Sequence, residues 1–173
     1  MSQETIKTDN EAAPVLSDSE IFLPGPEDTR LIGLRLGGSL AEALREGRLT
    51  LPFLITLSGD LGAGKTTLCQ AIGEALGVAE AGEIVSPTFA LANEYQGQIE
   101  IFHLDVYRLE SVEHFYEAGL DEYLRRPGLT LLEWPEKMPS GFWPEKRLDL
   151  VLDFKGAGRV LRALARSESG LLS

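Results

Sequence analysis

The stretch that most constrains this chain is LSGDLGAGKTTLCQ, Leu57 to Gln70. From Gly59 it completes the pattern G-x-x-x-x-G-K-T, with Gly59, Gly62, Gly64, Lys65 and Thr66 in place. Glycines admit positive φ and let the backbone approach a ligand closely. Successive N–H groups can then turn inward as a nest for an anion. The continuation TTLCQAIGEALG reads as a helix with Leu68, Ile72, Ala75 and Leu76 on one side. Its N-terminus adds free donors and a positive dipole end. Lys65 has the reach for β- and γ-phosphates, and the Thr66 hydroxyl is placed for Mg2+. Upstream, PFLITLS (Pro52 to Ser58) is an apolar run rich in β-formers, which reads as a buried strand. Strand, glycine loop and helix together make a P-loop. The candidate cradle for ATP or ADP with Mg2+ is therefore Gly59, Asp60, Leu61, Gly62, Ala63, Gly64, Lys65, Thr66 and Thr67. The competing reading, a chance Gly-rich turn, is disfavoured by the flanking elements.

Length and charge narrow the setting. A chain of 173 residues suggests one domain. The expected division is a disordered tail over 1–20, a single P-loop domain over 21–166 and a short tail over 167–173. The tail reading rests on the polar, acidic opening MSQETIKTDNEAAPVLSDSE. The formal net charge of −11 argues against a chain that clamps nucleic acid by itself, or that binds membranes through a polybasic anchor. A contact with RNA is then expected to run through a protein partner. Cys69 is the sole cysteine, so no intrachain disulfide can form, and a small buried side chain is its expected role. With no signal-like opening and no run of ~20 apolar residues, the expected location is the cytoplasm.

The remaining elements follow from periodicity. PEDTRLIGLRLGGSLAEALREG reads as a helix that Gly37-Gly38 could interrupt. Phe89–Tyr95 and Ile99–Asp105 read as two strands of a hairpin around Gly97. Ser111–Leu124 reads as a helix with Ser111 as N-cap. Leu129–Glu133 and Leu148–Phe154 read as strands, and Arg159–Arg166, after the turn at Gly156–Gly158, as another. The fold class is α/β: a P-loop NTPase-like mixed sheet flanked by helices, with antiparallel hairpin additions.

Two acids end apolar strands, where ligands bind in α/β sheets: Asp105 after IFHL and Glu133 after LTLL. A P-loop ATPase needs one acid to organise Mg2+ and a group to orient water. The sequence leaves open which acid does which, and for each the alternative is a strand-end acid facing solvent. In VSPTFALANEY, Thr88 is a candidate sensor of the γ-phosphate through Mg2+; spacing alone favours an ordinary loop threonine. Trp134, directly after Glu133, could cover the nucleotide, face a partner, or, as is commoner for tryptophan, close the edge of the core. His103 reads equally as structural or catalytic. No Cys/His cluster suggests zinc.

GDLGAGKTT, SPTF, HLDVYRL, GLDEYL and LLEWPEK, in this order and spacing, resemble the TsaE (YjeE) family over roughly residues 27 to 154. The family comprises small bacterial ATPases required for making threonylcarbamoyladenosine in tRNA. The resemblance implies binding of ATP or ADP with Mg2+, ATP hydrolysis, and a complex with TsaD and TsaB in which TsaD transfers the threonylcarbamoyl group. It places Lys65 at the phosphate-binding lysine, Thr66 at the Mg2+-associated hydroxyl and Glu133 at the Mg2+-binding glutamate. It places Asp105 at a functionally important aspartate, Trp134 at the tryptophan beside the glutamate, and Thr88 in a switch-like segment. It also implies nucleotide contact around Glu27 to Thr29. The acidic opening before Pro26 departs from the family pattern. On this reading Lys65, Asp105 and Glu133 are the catalytic candidates, and Thr66 and Glu133 the metal ligands. Two rivals remain: a small-molecule kinase, for which Arg125-Arg126 is the only tight arginine pair in the core, and a module that uses nucleotide only to gate binding.

Overall fold

The apolar run before the glycine loop is a strand, β2 (Phe53–Ser58), and nearly every residue in it is buried. A strand buried on both faces belongs in the middle of a parallel sheet, and β2 lies there. In this computed structural model residues 20–78 and 84–166 are described, residues 165 and 166 by their backbone only. The expected tails over 1–20 and 167–173 lie outside the described residues except for Glu20, which opens the first strand. The other strands are β1 (Glu20–Leu23), β3 (Ala92–Gln96), β4 (Glu100–Asp105), β5 (Leu129–Glu133), β6 (Arg147–Lys155) and β7 (Gly158–Arg166). The helices are α1 (Pro26–Arg45), α2 (Lys65–Ala75) and α3 (Val112–Glu117).

One seven-stranded sheet runs in the order β1-β7-β6-β2-β5-β4-β3. Its four inner strands are parallel, and both margins are antiparallel, through β3 on β4 and through β7 and β1 beside β6. The sheet is mixed, as its sequence suggests, and the last segment is a strand. β1 was not foreseen. Its four residues EIFL are too few to show a period, and only pairing with β7 makes them a strand.

Alternation sorts the side chains into two layers. Phe53, Ile55 and Leu57 of β2 join Ile101, Leu129 and Leu131 beneath α1 and α2. Leu54, Phe102, Leu104 and Leu132 face the other way and pack with Phe115, Leu120 and Trp143. Residues two apart on a strand share a face, so His103 and Asp105 follow Ile101, and Glu133 follows Leu131, toward the helix side.

Three expected boundaries are corrected. α1 runs unbroken through Gly37-Gly38, because Gly33 and Gly37 are where α2 lies against it. A Cβ on either would come within 2.6 Å of the Ala71 or Ala75 Cβ. β3 starts at Ala92 rather than Phe89: Leu91 has φ +66°, which ends extended backbone, and residues 88–90 form a turn. The helix expected to reach Leu124 stops after Glu117, because Gly119 takes the left-handed conformation (φ +69°) that closes a helix. A single 3-10 turn, Leu120–Glu122, follows. Among the described residues no helix is long and apolar enough to cross a membrane.

The glycine pair of α1 gives opposite expectations. Gly38 is exposed with nothing within 4 Å of a Cβ, so Gly38→Ala should stabilise by about 0.5–1 kcal/mol. Gly37→Ala should destabilise by about 1–3 kcal/mol, since its methyl meets the backbone oxygen of Ile72 at 2.8 Å. Urea unfolding midpoints of the two variants check both signs.

Candidate functional site

At the end of β2 the chain turns beneath β6. A Cβ on Gly59 would sit 2.0 Å from the carbonyl oxygen of Leu152, and Gly59 has φ +123°, so only glycine passes here. Gly62 (φ +77°) and Gly64 (φ +115°) complete a loop that delivers the chain into α2. Ala63 N–H donates to the Asp60 carbonyl at 3.2 Å. From outside, Arg159 Nε donates to the Ala63 carbonyl at 2.6 Å. The Thr29 methyl of α1 packs against Gly64, and the buried Thr29 hydroxyl has no partner. The first turn of α2 holds no acidic residue, so its free N–H groups and positive dipole end face the loop uncompensated.

Lys65 folds back into the loop. Its Nζ donates to the carbonyls of Gly59 (2.7 Å) and Asp60 (2.9 Å) and lies 3.9 Å from the centroid of the Trp134 ring. Burial lowers its pKa from the ordinary lysine value, and Glu133, Glu136, Asp105 and Asp60 pull it back up. Trp134 adopts φ +65°, and its N–H donates to the Leu57 carbonyl at 3.1 Å, tying the residue after β5 to the end of β2. Its ring also meets Tyr107 at 4.9 Å.

Asp105 and Glu133 stand side by side, because β4 and β5 are parallel and pair them in register. They are 2% and 3% exposed, which removes the reading of either as a strand-end acid in solvent. Their partners differ. Glu133 Oε1 accepts from the Thr66 hydroxyl (3.2 Å) and lies 2.9 Å from His103 Nε2. Asp105 Oδ2 accepts from the hydroxyls of Ser86 and of Thr88 (3.0 Å), and Oδ1 from the Tyr107 N–H (2.9 Å). Glu133 is thus tied to the P-loop helix, and Asp105 to the segment bearing Ser86 and Thr88.

These groups converge on a pocket of about 380 Å³. Of the residues singled out by sequence, Leu61, Gly62, Gly64, Lys65, Thr66, Thr67, Thr88, Asp105, Glu133 and Trp134 line it. Gly59, Asp60 and Ala63 do not; they shape the loop from behind. Ser86 and Tyr107 line it without having been picked out. Each is two residues from one that was, Ser86 from Thr88 and Tyr107 from Asp105. That spacing carries no weight until the turn at 88–90 and the backbone bond to Asp105 are known. Arg159 and Arg162 project to opposite faces of β7, Arg159 to the P-loop and Arg162 to Asp153. The Arg166 side chain lies outside the described residues.

The donor set fits a magnesium nucleotide. The glycine cradle, the free helix end and Lys65 suit phosphate oxygens. The Thr66 hydroxyl and the Glu133 carboxylate, 3.2 Å apart, are hard oxygen ligands of the kind Mg2+ takes. The fold also brings Cys69 near His103 and Glu133, with ligand atoms within 4.8 Å of one another, a cluster that sequence spacing hides. Complete burial raises the Cys69 pKa well above the ordinary thiol value. The thiol therefore stays protonated at neutral pH and is a poor ligand, whereas the Thr66 hydroxyl and the Glu133 carboxylate could hold a cation.

The family model for threonylcarbamoyl adenosine biosynthesis protein TsaE matches residues 26–161. A Nostoc protein described as tRNA threonylcarbamoyladenosine biosynthesis protein TsaE is 40% identical over 147 residues, 81% of each chain. A Haemophilus influenzae protein of the same description is 34% identical over 79% of this chain and 85% of its own. The crystal structure of Bacillus subtilis YdiB superposes with a TM-score of 0.60 at 28% identity, covering 86% of both chains.

Asp105→Ala should free the segment around Ser86 and Thr88, because hydrogen bonds to a charged acceptor contribute about 1.5–3 kcal/mol each. Amide hydrogen exchange over residues 84–91 should speed up by at least about tenfold, with α2 unchanged. Equal acceleration in α2 would mean that Asp105 supports the whole fold rather than this segment.

Proposed function

This chain belongs to the TsaE family, and on that premise we propose that it is a Mg2+-dependent P-loop ATPase that works with TsaD and TsaB in threonylcarbamoyladenosine modification of tRNA. The observation that carries the reading is the convergence of Lys65, Thr66 and two buried carboxylates on one pocket at the carboxyl ends of parallel strands. In this reading the loop N–H groups and the start of α2 bind the phosphates. Lys65 exchanges its two carbonyl acceptors for phosphate oxygens. Thr66 and Glu133 hold Mg2+, which when bound neutralises charge on the transferring phosphoryl group. Asp105 has three donors on its two oxygens, and a carboxylate has room for about four. The remaining position suits a water proton, which makes Asp105 the group that orients the attacking water. ATP and water give ADP and phosphate, with positioning supplying most of the rate.

Among the described residues lining the pocket, Lys65 is the sole positive side chain available to the transition state. Among the described residues no arginine lines the pocket. Arg108 stacks on Phe89, 4.1 Å from its centroid, and Arg126 is engaged by Glu94 and Glu100 on the hairpin. This weakens the kinase reading, which needs an arginine-bearing lid. It favours completion of the site by a partner, as trans-acting groups do in other P-loop proteins. Leu61 (80% exposed), Phe89 (85%) and Val85 (54%), at or next to pocket-lining residues, offer apolar surface for that partner. With a net charge of −11, contact with tRNA is assigned to the complex.

ATP turnover by the chain with Mg2+ should rise more than about tenfold when TsaB and TsaD are added, and vanish in Lys65→Ala. Turnover indifferent to the partners, or absent in both cases, would shift the assignment to a nucleotide gate. Binding itself has a direct readout, since Lys65 must leave the Trp134 ring. Adding MgADP should change tryptophan emission in Trp143→Phe and leave it unchanged in Trp134→Phe.

A further inference from the structure

Resting on the reading of Glu133 as a cation ligand, we propose that His103 is the positioning residue that fixes the Glu133 carboxylate for that cation. His103 is fully buried in the middle of β4, on the helix side of the sheet. Among the described residues its side chain makes one hydrogen bond, to Glu133 Oε1 at 2.9 Å, and Nδ1 has no partner. A neutral imidazole has one N–H donor and one bare acceptor nitrogen. A carboxylate oxygen accepts, so the tautomer that makes this bond carries its proton on Nε2 and donates it to Oε1. Nδ1 is then the bare nitrogen, which is why it can stay unpartnered in the core.

Packing alone does not explain this histidine. The neighbouring inward positions, Ile101 and Leu131, are aliphatic. An aliphatic residue at 103 would fill a similar space without leaving a buried acceptor unsatisfied, a feature that folded cores avoid unless it serves something. What the imidazole adds is a donor aimed at one carboxylate oxygen from the core side. The other donor to Oε1, the Thr66 hydroxyl, is longer at 3.2 Å, lines the pocket, and is itself a proposed ligand. His103 does not line the pocket. It is therefore the fixed anchor of the pair, setting the carboxylate plane before any ligand arrives, while Thr66 is free to turn toward a ligand. Ligating carboxylates are themselves oriented by hydrogen-bonded outer partners, and losing such a partner typically costs about 10–100-fold in metal affinity or activity.

The test compares His103→Leu, which removes the donor and keeps an apolar filling, with His103→Gln, whose amide nitrogen can donate at similar reach. Mn2+, standing in for Mg2+, is titrated by electron paramagnetic resonance into the ADP complex of the full chain. ADP affinity in EDTA and Tm are measured alongside. Mn2+ should bind about 10–100-fold more weakly to His103→Leu, with ADP affinity in EDTA unchanged, and His103→Gln should recover most of the loss. If His103→Leu does not fold, His103→Asn, whose shorter amide cannot span to Oε1, takes its place. Wild-type Mn2+ affinity in His103→Leu overturns the proposal. So does a Mn2+ loss matched by an equal loss of ADP in EDTA, or a His103→Gln chain with wild-type Tm that binds as weakly as His103→Leu. Glu133→Gln separates the two levels. If it too binds Mn2+ like wild type, the cation reading of Glu133 falls and this inference with it; if it alone loses Mn2+, only the role of His103 falls.

Discussion

Parallel pairing of β2 with β5, and of β5 with β4, is the constraint on which the site depends. It brings three carboxyl ends to one level, so that the glycine loop, Glu133 and Asp105 start from adjacent positions. The two-residue alternation of side chains then decides that both acids and His103 point to the helix side. Neither condition suffices alone. A register slip of one residue in β5 would turn Glu133 into the aromatic layer around Phe115 and Trp143.

Two carboxylates buried side by side are costly unless their charge is met. Among the described residues no arginine meets it. Hydroxyls, one imidazole, a backbone N–H and the Lys65 ammonium share the task, drawn from four places: α2, β4, the segment at Ser86–Thr88, and the turn after β4. Site and fold therefore stabilise one another. The acids draw these segments together, and the segments supply the acids' hydrogen-bond donors. Within the pocket the backbone N–H groups, the end of α2 and Lys65 stand opposite the two carboxylates, so groups of both signs line it.

How far the sequence could lead depended on the range of the forces involved. The P-loop was readable because its glycines answer to local backbone geometry, and the apolar runs because burial on both faces leaves a continuous pattern. Asp105 and Glu133 were found as strand ends, but their separate partners were not, since the bonds to Ser86, Thr88 and Thr66 link segments far apart in the chain. The start of β3 at Ala92 and the stop of α3 before Gly119 turn on single residues with positive φ. β1 exists only through its pairing with β7. The unbroken course of α1 through two glycines required knowing that α2 lies against them. The nearness of Cys69, His103 and Glu133 has no trace in spacing, because it arises from a helix crossing two strands.

The posture of Lys65 has a further meaning. With its ammonium between two carbonyls and the Trp134 face, the loop already holds a cation of its own in the space where a phosphate's counter-charge would go. On the proposed reading, the affinity for a nucleotide is a difference between two occupied arrangements. Groups that make the resting posture comfortable act as competitors of the ligand, even though they line its site. Trimming Trp134 would weaken the competitor as well as the contact, so a residue can belong to a binding site and still set an upper limit on how tightly that site binds.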